Sequence, residues 1–236
     1  MNIINNFRNK KCPDEFIGFI NKDKVKDKYV YFQREDYERQ IVFPEKLFSY
    51  CCKNEIEFDD VIVIILESPH IDEFFGFSIH VFGENIPCYS RPANGTTGQN
   101  LRKYLSDVIS SEIKLDKDLY PVILLNAINY QCSCGVNTDL YRDDNFIECF
   151  FSNDDNENYK YLIKRIENIN VKNKYIINLC TKGKNIKKKL KKVGKEEYSS
   201  LQECVTLKIQ SFEKLYQGNH PSSWERNKKN RIIKKV

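Results

Sequence analysis

No apolar run in the chain is long enough to cross a bilayer. The opening Met1-Asn2-Ile3-Ile4-Asn5-Asn6 also lacks the charged-then-apolar order of a secretory signal. A soluble, cytoplasmic protein with no membrane partner is therefore expected. No segment repeats, which sets aside repeat architectures. The nine cysteines are odd in number and irregularly spaced, so they form no legible disulfide framework and are expected as free thiols in a reducing compartment. Trp occurs once, at Trp224.

What is present is ordinary globular material: 236 residues, 41% apolar, 13% aromatic and 30% charged. That suffices for one sizeable core, so residues 1–236 are expected to form a single domain and a monomer, with 1–59 as a mainly helical N-terminal addition. The net charge of +5 is modest, but it is unevenly spread. Thr181 to Lys195 carries eight lysines, and Trp224 to Val236 carries two arginines and four lysines against one Glu. Acidic residues gather elsewhere, at Asp143-Asp144 and around Asp154-Asp155. A basic C-terminal third suits a polyanion such as DNA or RNA, although lysine-rich stretches are also common as solvated helix faces.

Val61 to Leu66 is a continuous β-branched and aliphatic run, the pattern of a strand buried on both faces in a parallel sheet. Pro121 to Leu125 and Tyr175 to Cys180 read the same way, and Val205 to Ile209 reads as a weaker fourth strand. Helical periodicity falls between them, over Gly98 to Ile113, Tyr159 to Ile169 and Ile186 to Val193. Ahead of the first strand, Asp14 is expected to cap a helix through Ile20 and Pro44 to start another through Cys52, with a short β-like run at Tyr29 to Phe32. Residues 152 to 158 read as a loop. The alternation predicts an α/β protein, a three-layer α/β/α sandwich with a mostly parallel four-stranded central sheet.

Ligands of open parallel sheets bind beyond the carboxyl ends of the strands. There the chain places Glu67-Ser68-Pro69-His70, then Asn126, then Thr181-Lys182-Gly183-Lys184, and finally the loop Gly218-Asn219-His220-Pro221-Ser222-Ser223-Trp224. Singly, each reads equally well as a capping group or a turn. Together, a carboxylate, an amide and an imidazole at one edge can hold a planar heterocycle and act on its attached sugar.

The set Leu66-Glu67-Ser68-Pro69-His70, Leu124-Leu125-Asn126-Ala127 and His220-Pro221-Ser222 resembles the uracil-DNA glycosylase superfamily, in that family's order. Gly95-Thr96-Thr97-Gly98-Gln99-Asn100-Leu101 resembles the family's Gly-x-x-Gly-x-x-Leu helix entry. The likeness covers about residues 60 to 230. It implies a monofunctional DNA glycosylase that flips a base out of the duplex and hydrolyses its N-glycosidic bond, leaving an abasic site. Asn126 would then pair with the base, His220 would donate to its carbonyl oxygen, and Glu67 would orient water or stabilise the cationic sugar. Ser222 and Ser223 would grip phosphates with Lys182 and Lys184, and Trp224 stands where relatives insert a wedge into the stack.

Departures from the family pattern point to the substrate. Ser68 replaces the Asp or Asn of the best-known uracil enzymes, which moves the water-orienting role to Glu67, as in the branch that carries an iron–sulfur cluster. His70 replaces the Tyr that would exclude bases substituted at C5. Ala93 stands where that branch stacks a Phe on the base, leaving Phe77 or Tyr89 to supply the ring. A bulky modified cytosine, such as glucosylated hydroxymethylcytosine in phage DNA, is thus a candidate beside uracil, in an antiviral role like that of related phage-defence glycosylases. Cys51, Cys52, Cys132 or Cys134, and Cys149 fall loosely where the cluster ligands would be, but the adjacent pair and the Cys-x-Cys spacing are poor clamps, so no cofactor and no metal are expected. Two other classes stay open: a DNA- or damaged-base-binding module without chemistry, and a nucleotide-processing enzyme on the same fold.

Overall fold

A computed structural model describes residues 12, 14–21, 58–70, 73, 78–81, 84–87, 93, 95–117, 119–133, 141–153 and 158–236. The expected helix from Pro44, the run at Tyr29 to Phe32, and residues Phe77 and Tyr89 lie outside them.

The chain is an α/β protein built on a six-stranded sheet. Its strands, in chain order, are β1 (Glu15–Asn21), β2 (Asp60–Leu66), β5 (Leu119–Asn126), β6 (Asn173–Asn178), β7 (Leu215–Gly218) and β8 (Ile233–Lys235). A separate hairpin pairs β3 (Ser78–Val81) with β4 (Glu84–Pro87). The helices are α1 (Thr96–Ser110), α2 (Arg142–Phe150), α3 (Tyr159–Glu167), α4 (Ile186–Lys192) and α5 (Leu201–Lys208). Across the sheet the order is β1-β5-β2-β6-β7-β8. The inner four strands run parallel, and β1 and β8 close the two edges antiparallel.

β2 is buried along its whole length because both of its faces are covered. Val61, Val63 and Ile65 point into a core shared with residues of α2 to α5, such as Phe146, Ile166, Leu190 and Val205. Ile62, Ile64 and Leu66 point into a second core with Leu101, Leu105 and Ile109 of α1, and with Trp224. Burying a β-branched or aliphatic side chain stabilises by about 1.5–3 kcal/mol, so the period-two division of β2 between two cores is what holds the layers together.

Two expected elements are different in the structure. Residues 14–20 are not helical: β1 pairs antiparallel with β5, and its register shifts between Phe16 and Gly18. That bulge rephases the alternation, so Ile17 and Ile20, three apart as on a helix face, are both buried in the α1-side core. Val205 to Ile209 is not a strand but the end of α5. The overlooked signal is Ser200-x-x-Glu203, whose Ser200 Oγ accepts the Glu203 N–H and whose Glu203 carboxylate accepts the Ser199 N–H. The fourth parallel strand is β7, four residues long and buried only at Leu215 and Tyr216.

The chain leaves β2 through α1 to reach β5 on one side, then crosses by α2 and α3 to β6 on the other. β2 is thus the point where the strand order reverses, and a crevice opens beyond its carboxyl end. Pairing aligns the strand ends there: Leu66 faces Asn126, Ile65 faces Asn178, and Asn178 faces Gln217.

Candidate active site

A cavity of about 360 Å³ lies beyond the end of β2. The β2 loop contributes Glu67, Ser68, Pro69, His70 and Glu73; the entry to α1 contributes Gly95, Thr96 and Thr97. Ser133, Arg142, Thr181, His220, Ser222 and Arg226 complete the wall. Of the four polar clusters expected at one edge, those after β2 and β6 and the His220 loop, which follows β7, meet here.

The loop after β7 is held by hydrogen bonds rather than by its own turn alone. Trp224 is fully buried in the α1-side core. Its indole Nε1–H donates to Asn219 O at 2.9 Å, and Arg231 Nε donates to Trp224 O at 2.8 Å. Asn100 on α1 donates to Pro221 O at 2.9 Å. Trp224 therefore cannot be a wedge inserted between bases: its ring is already occupied in the core. Close packing of α1 against the chain before it explains the second Gly of the helix entry, because a Cβ on Gly98 would collide with the carbonyl oxygen of Ala93.

His220 shows which of its nitrogens faces the cavity. Nδ1 accepts the Ser222 N–H at 3.3 Å and lies 2.9 Å from Ser222 Oγ. Burial depresses the His220 pKa; Glu67 opposes that shift and Arg142 adds to it. A neutral ring that accepts at Nδ1 carries its proton on Nε2. Nε2 stands 3.6 Å from Glu67 Oε2. The imidazole thus offers one N–H donor toward the carboxylate and the cavity. Ser223, by contrast, spends its hydroxyl on His220 O at 2.8 Å and shapes the turn.

Glu67 is buried, and its carboxylate is matched from three sides. Oε2 accepts the Thr181 N–H at 3.2 Å, His220 faces the same oxygen, and Arg142 Nη1 lies 3.9 Å from Oε1. Arg142 opens α2 and is anchored by Asp143, whose Oδ1 accepts from its Nε at 3.0 Å and from its Nη2 at 2.8 Å. Asp143 Oδ2 accepts the Lys184 N–H at 2.8 Å and lies 3.6 Å from Lys189 Nζ. A buried aspartate thus ties the loop after β6 to the guanidinium that faces Glu67. Lys182 and Lys184 are exposed on that loop and do not line the cavity.

Asn126 sits at the end of β5 but outside the cavity lining. Both of its amide atoms are buried without a hydrogen-bond partner among the described residues. Its backbone is fixed from below: Arg165 Nη2 donates to Asn126 O at 2.6 Å and to Ala127 O at 3.2 Å, while Nη1 donates to Asp14 Oδ1 at 2.5 Å.

Three lining residues, Glu73, Arg142 and Arg226, carried no signal of a site, because none directly follows a strand in the chain. Only Arg142, beside the Asp143-Asp144 pair and ahead of helical spacing, offered a hint as a helix start. Of the cysteines weighed as cluster ligands, Cys132 and Cys149 are both buried; the neighbouring Cys149 thiol and then burial raise the Cys132 pKa well above the ordinary thiol value, and Ser68 opposes the shift. Cys51, Cys52 and Cys134 lie outside the described residues. Among the described residues no group of three or more His, Cys, Asp or Glu is arranged to hold a metal ion, and no helix is long and apolar enough to cross a membrane.

No family model, curated protein or solved structure matches this chain.

Proposed function

We propose that the protein is a monofunctional DNA glycosylase with a uracil-DNA glycosylase-like α/β/α architecture, which flips a base into the cavity beyond β2 and hydrolyses its N-glycosidic bond. The observation that carries this reading is the facing pair of Glu67 and His220, with the single imidazole donor directed into a cavity at the reversal point of the sheet. A glycosidic bond breaks through a cationic sugar and an anionic base. A carboxylate beside the first and a neutral N–H donor beside the second stabilise both charges as they develop. Glu67 orients the attacking water, His220 Nε2 donates to a base carbonyl oxygen, and Ser68 and His70 line the side where the base would enter.

Exposed lysines on the loop after β6 and along α4 supply positive charge beside the opening, where the backbone of a polyanion would pass. Mass spectrometry of bases released from a panel of DNAs containing uracil, glucosylated hydroxymethylcytosine or other modified bases tests the reading. Release of at least one base, lost in Glu67→Gln and His220→Ala, is expected; release undiminished in both variants would refute the site.

A second reading has one observation in its favour. Arg142 and Arg226 both line the cavity, which suits the phosphate of a free nucleotide as well as that of a strand. Competition decides between them: duplex DNA should displace a bound nucleotide with steep salt dependence if the substrate is a strand.

A further inference from the structure

Two carboxylates line this cavity, and their surroundings differ. Glu67 has Arg142, His220 and a backbone N–H against it. Glu73 is equally buried, but among the described residues no cation pairs with it. Its neighbours are the Cys12 thiol, 3.9 Å from Oε2, the backbone of His70 and Ala93, and the negative charge of Glu67. Its own N–H donates to His70 O at 3.0 Å, which holds the side chain at the cavity wall. The groups facing it from the packed segments are Cys12 before β1, Glu67 and His70 after β2, and, across the cavity, Arg142, His220 and Arg226.

We infer that Glu73 is the proton donor of this site and that the base it serves is an amino-substituted one of the cytosine type, in which a basic ring nitrogen stands beside an exocyclic amine. The inference rests on the glycosylase reading and narrows its substrate. Burial raises the Glu73 pKa to about 8, with the charge of Glu67 adding to the shift and the hydrogen bonds opposing it. The group is therefore a carboxylic acid at neutral pH. A carboxylic acid presents one O–H donor and one carbonyl acceptor side by side. That pair matches the N3 acceptor and the amino donor of cytosine.

The chemistry asks for such a donor. Uracil leaves as an anion spread over two carbonyls, which a neutral His N–H can stabilise. Cytosine has one carbonyl and is the poorer anionic leaving group, but its N3 takes a proton. In the proposed step the C1′–N1 bond breaks and its electron pair goes to the base, while the Glu73 proton moves to N3. The oxygen of water bonds to C1′, and its released proton passes to Glu67. Solvent then returns that proton to Glu73, so the net reaction consumes one water. Two carboxyl groups divided into acid and base by their surroundings is the arrangement that glycosidic hydrolysis uses elsewhere.

The test compares single-turnover base release by the wild type and Glu73→Gln from two DNAs differing in one nucleotide, deoxyuridine or glucosylated hydroxymethyldeoxycytidine, across pH. Expected is a wild-type rate on the cytosine-type base that falls above about pH 8, and a loss of about a hundredfold or more in Glu73→Gln on that base against less than about tenfold on uracil. Release of uracil alone, or equal rates for the two proteins on the cytosine-type base, would overturn this inference and leave the glycosylase reading standing. No base release from either DNA would overturn both. Infrared spectroscopy of the wild type is independent of the variant's folding: a protonated carboxyl band that persists at neutral pH and disappears through about pH 8 is expected, and its absence at neutral pH overturns the assignment of Glu73.

Discussion

The two walls of the cavity are built to opposite electrostatic rules. On the side made by α2 and the loops after β6 and β7, charged groups are paired in a chain that ends on Glu67. Asp143 holds Arg142, Arg142 faces Glu67, the Thr181 amide bonds Glu67, and Ser222 fixes the His220 ring. On the side made by the β2 loop, Glu73 takes hydrogen bonds from the Cys12 thiol and the backbone of His70 and Ala93, and among the described residues no cation pairs with it. A matched carboxylate keeps its charge and can act on water or on a cation. One with hydrogen bonds but no cation beside it in a dry setting favours its proton and can give it away. Sequence alone shows two Glu six residues apart and nothing of this difference.

The largest effect should come from removing what keeps the matched wall in place. Trp224→Ala is expected to lose about 3–5 kcal/mol of stability in denaturant unfolding. Trp224→Phe, which keeps most of the packing but frees Asn219 O, should lose nearer 1 kcal/mol. If the alanine variant is as stable as the wild type, the loop is not anchored by the indole.

Glu73 should set the pH dependence of stability. Its folded pKa of about 8 lies above the ordinary 4.5, so its contribution is complete below 4.5 and is lost as pH rises through about 8. Glu73→Gln should therefore match the wild type in acid and exceed it at alkaline pH by roughly 4–5 kcal/mol. Parallel stability curves for the two proteins would mean that both walls keep their carboxylates charged.

Glu67→Gln and His220→Ala, on the matched wall, are each expected to lower base release about a hundredfold or more with little change in DNA affinity. Asp143→Asn should cost less, about tenfold in rate, because it loosens Arg142 and the Lys184 loop without touching substrate. The loss should fall on kcat rather than KM; wild-type kinetics with lowered stability would leave Asp143 a purely structural tie. The smallest effect concerns His220. Burial depresses its pKa below 6.5, so the stability it contributes is complete above 6.5 and is lost as pH falls through the folded value. His220→Asn should flatten that acid-side slope.

Much of the scaffold was legible because the strands β2, β5 and β6 are continuous apolar runs, and a strand buried on both faces needs no alternation. Glu67, Ser68 and His70 followed from the rule that loops converge at the carboxyl ends of such strands, whereas the His220 and Ser222 loop was placed behind Val205 to Ile209 and is in fact delivered by β7. β1 was misread because a bulge gives two buried Ile the spacing of a helix. α5 was misread because Val205, Leu207 and Ile209 alternate as in a strand while the capping Ser200 and Glu203 decide the matter. Arg142 and Glu73 were not legible, since nothing local marks them as neighbours of Glu67.

By itself, then, the sequence determined the α/β class, the central strand and the convergence of polar loops, because these depend on hydrophobic pattern and chain order. Only the tertiary structure decided that Trp224 is an anchor rather than a wedge, that Asn126 lies outside the cavity lining, and that among the described residues cations face one of two pocket carboxylates and not the other. Burial and charge pairing are properties of what surrounds a residue, and those surroundings come from segments far apart in the chain.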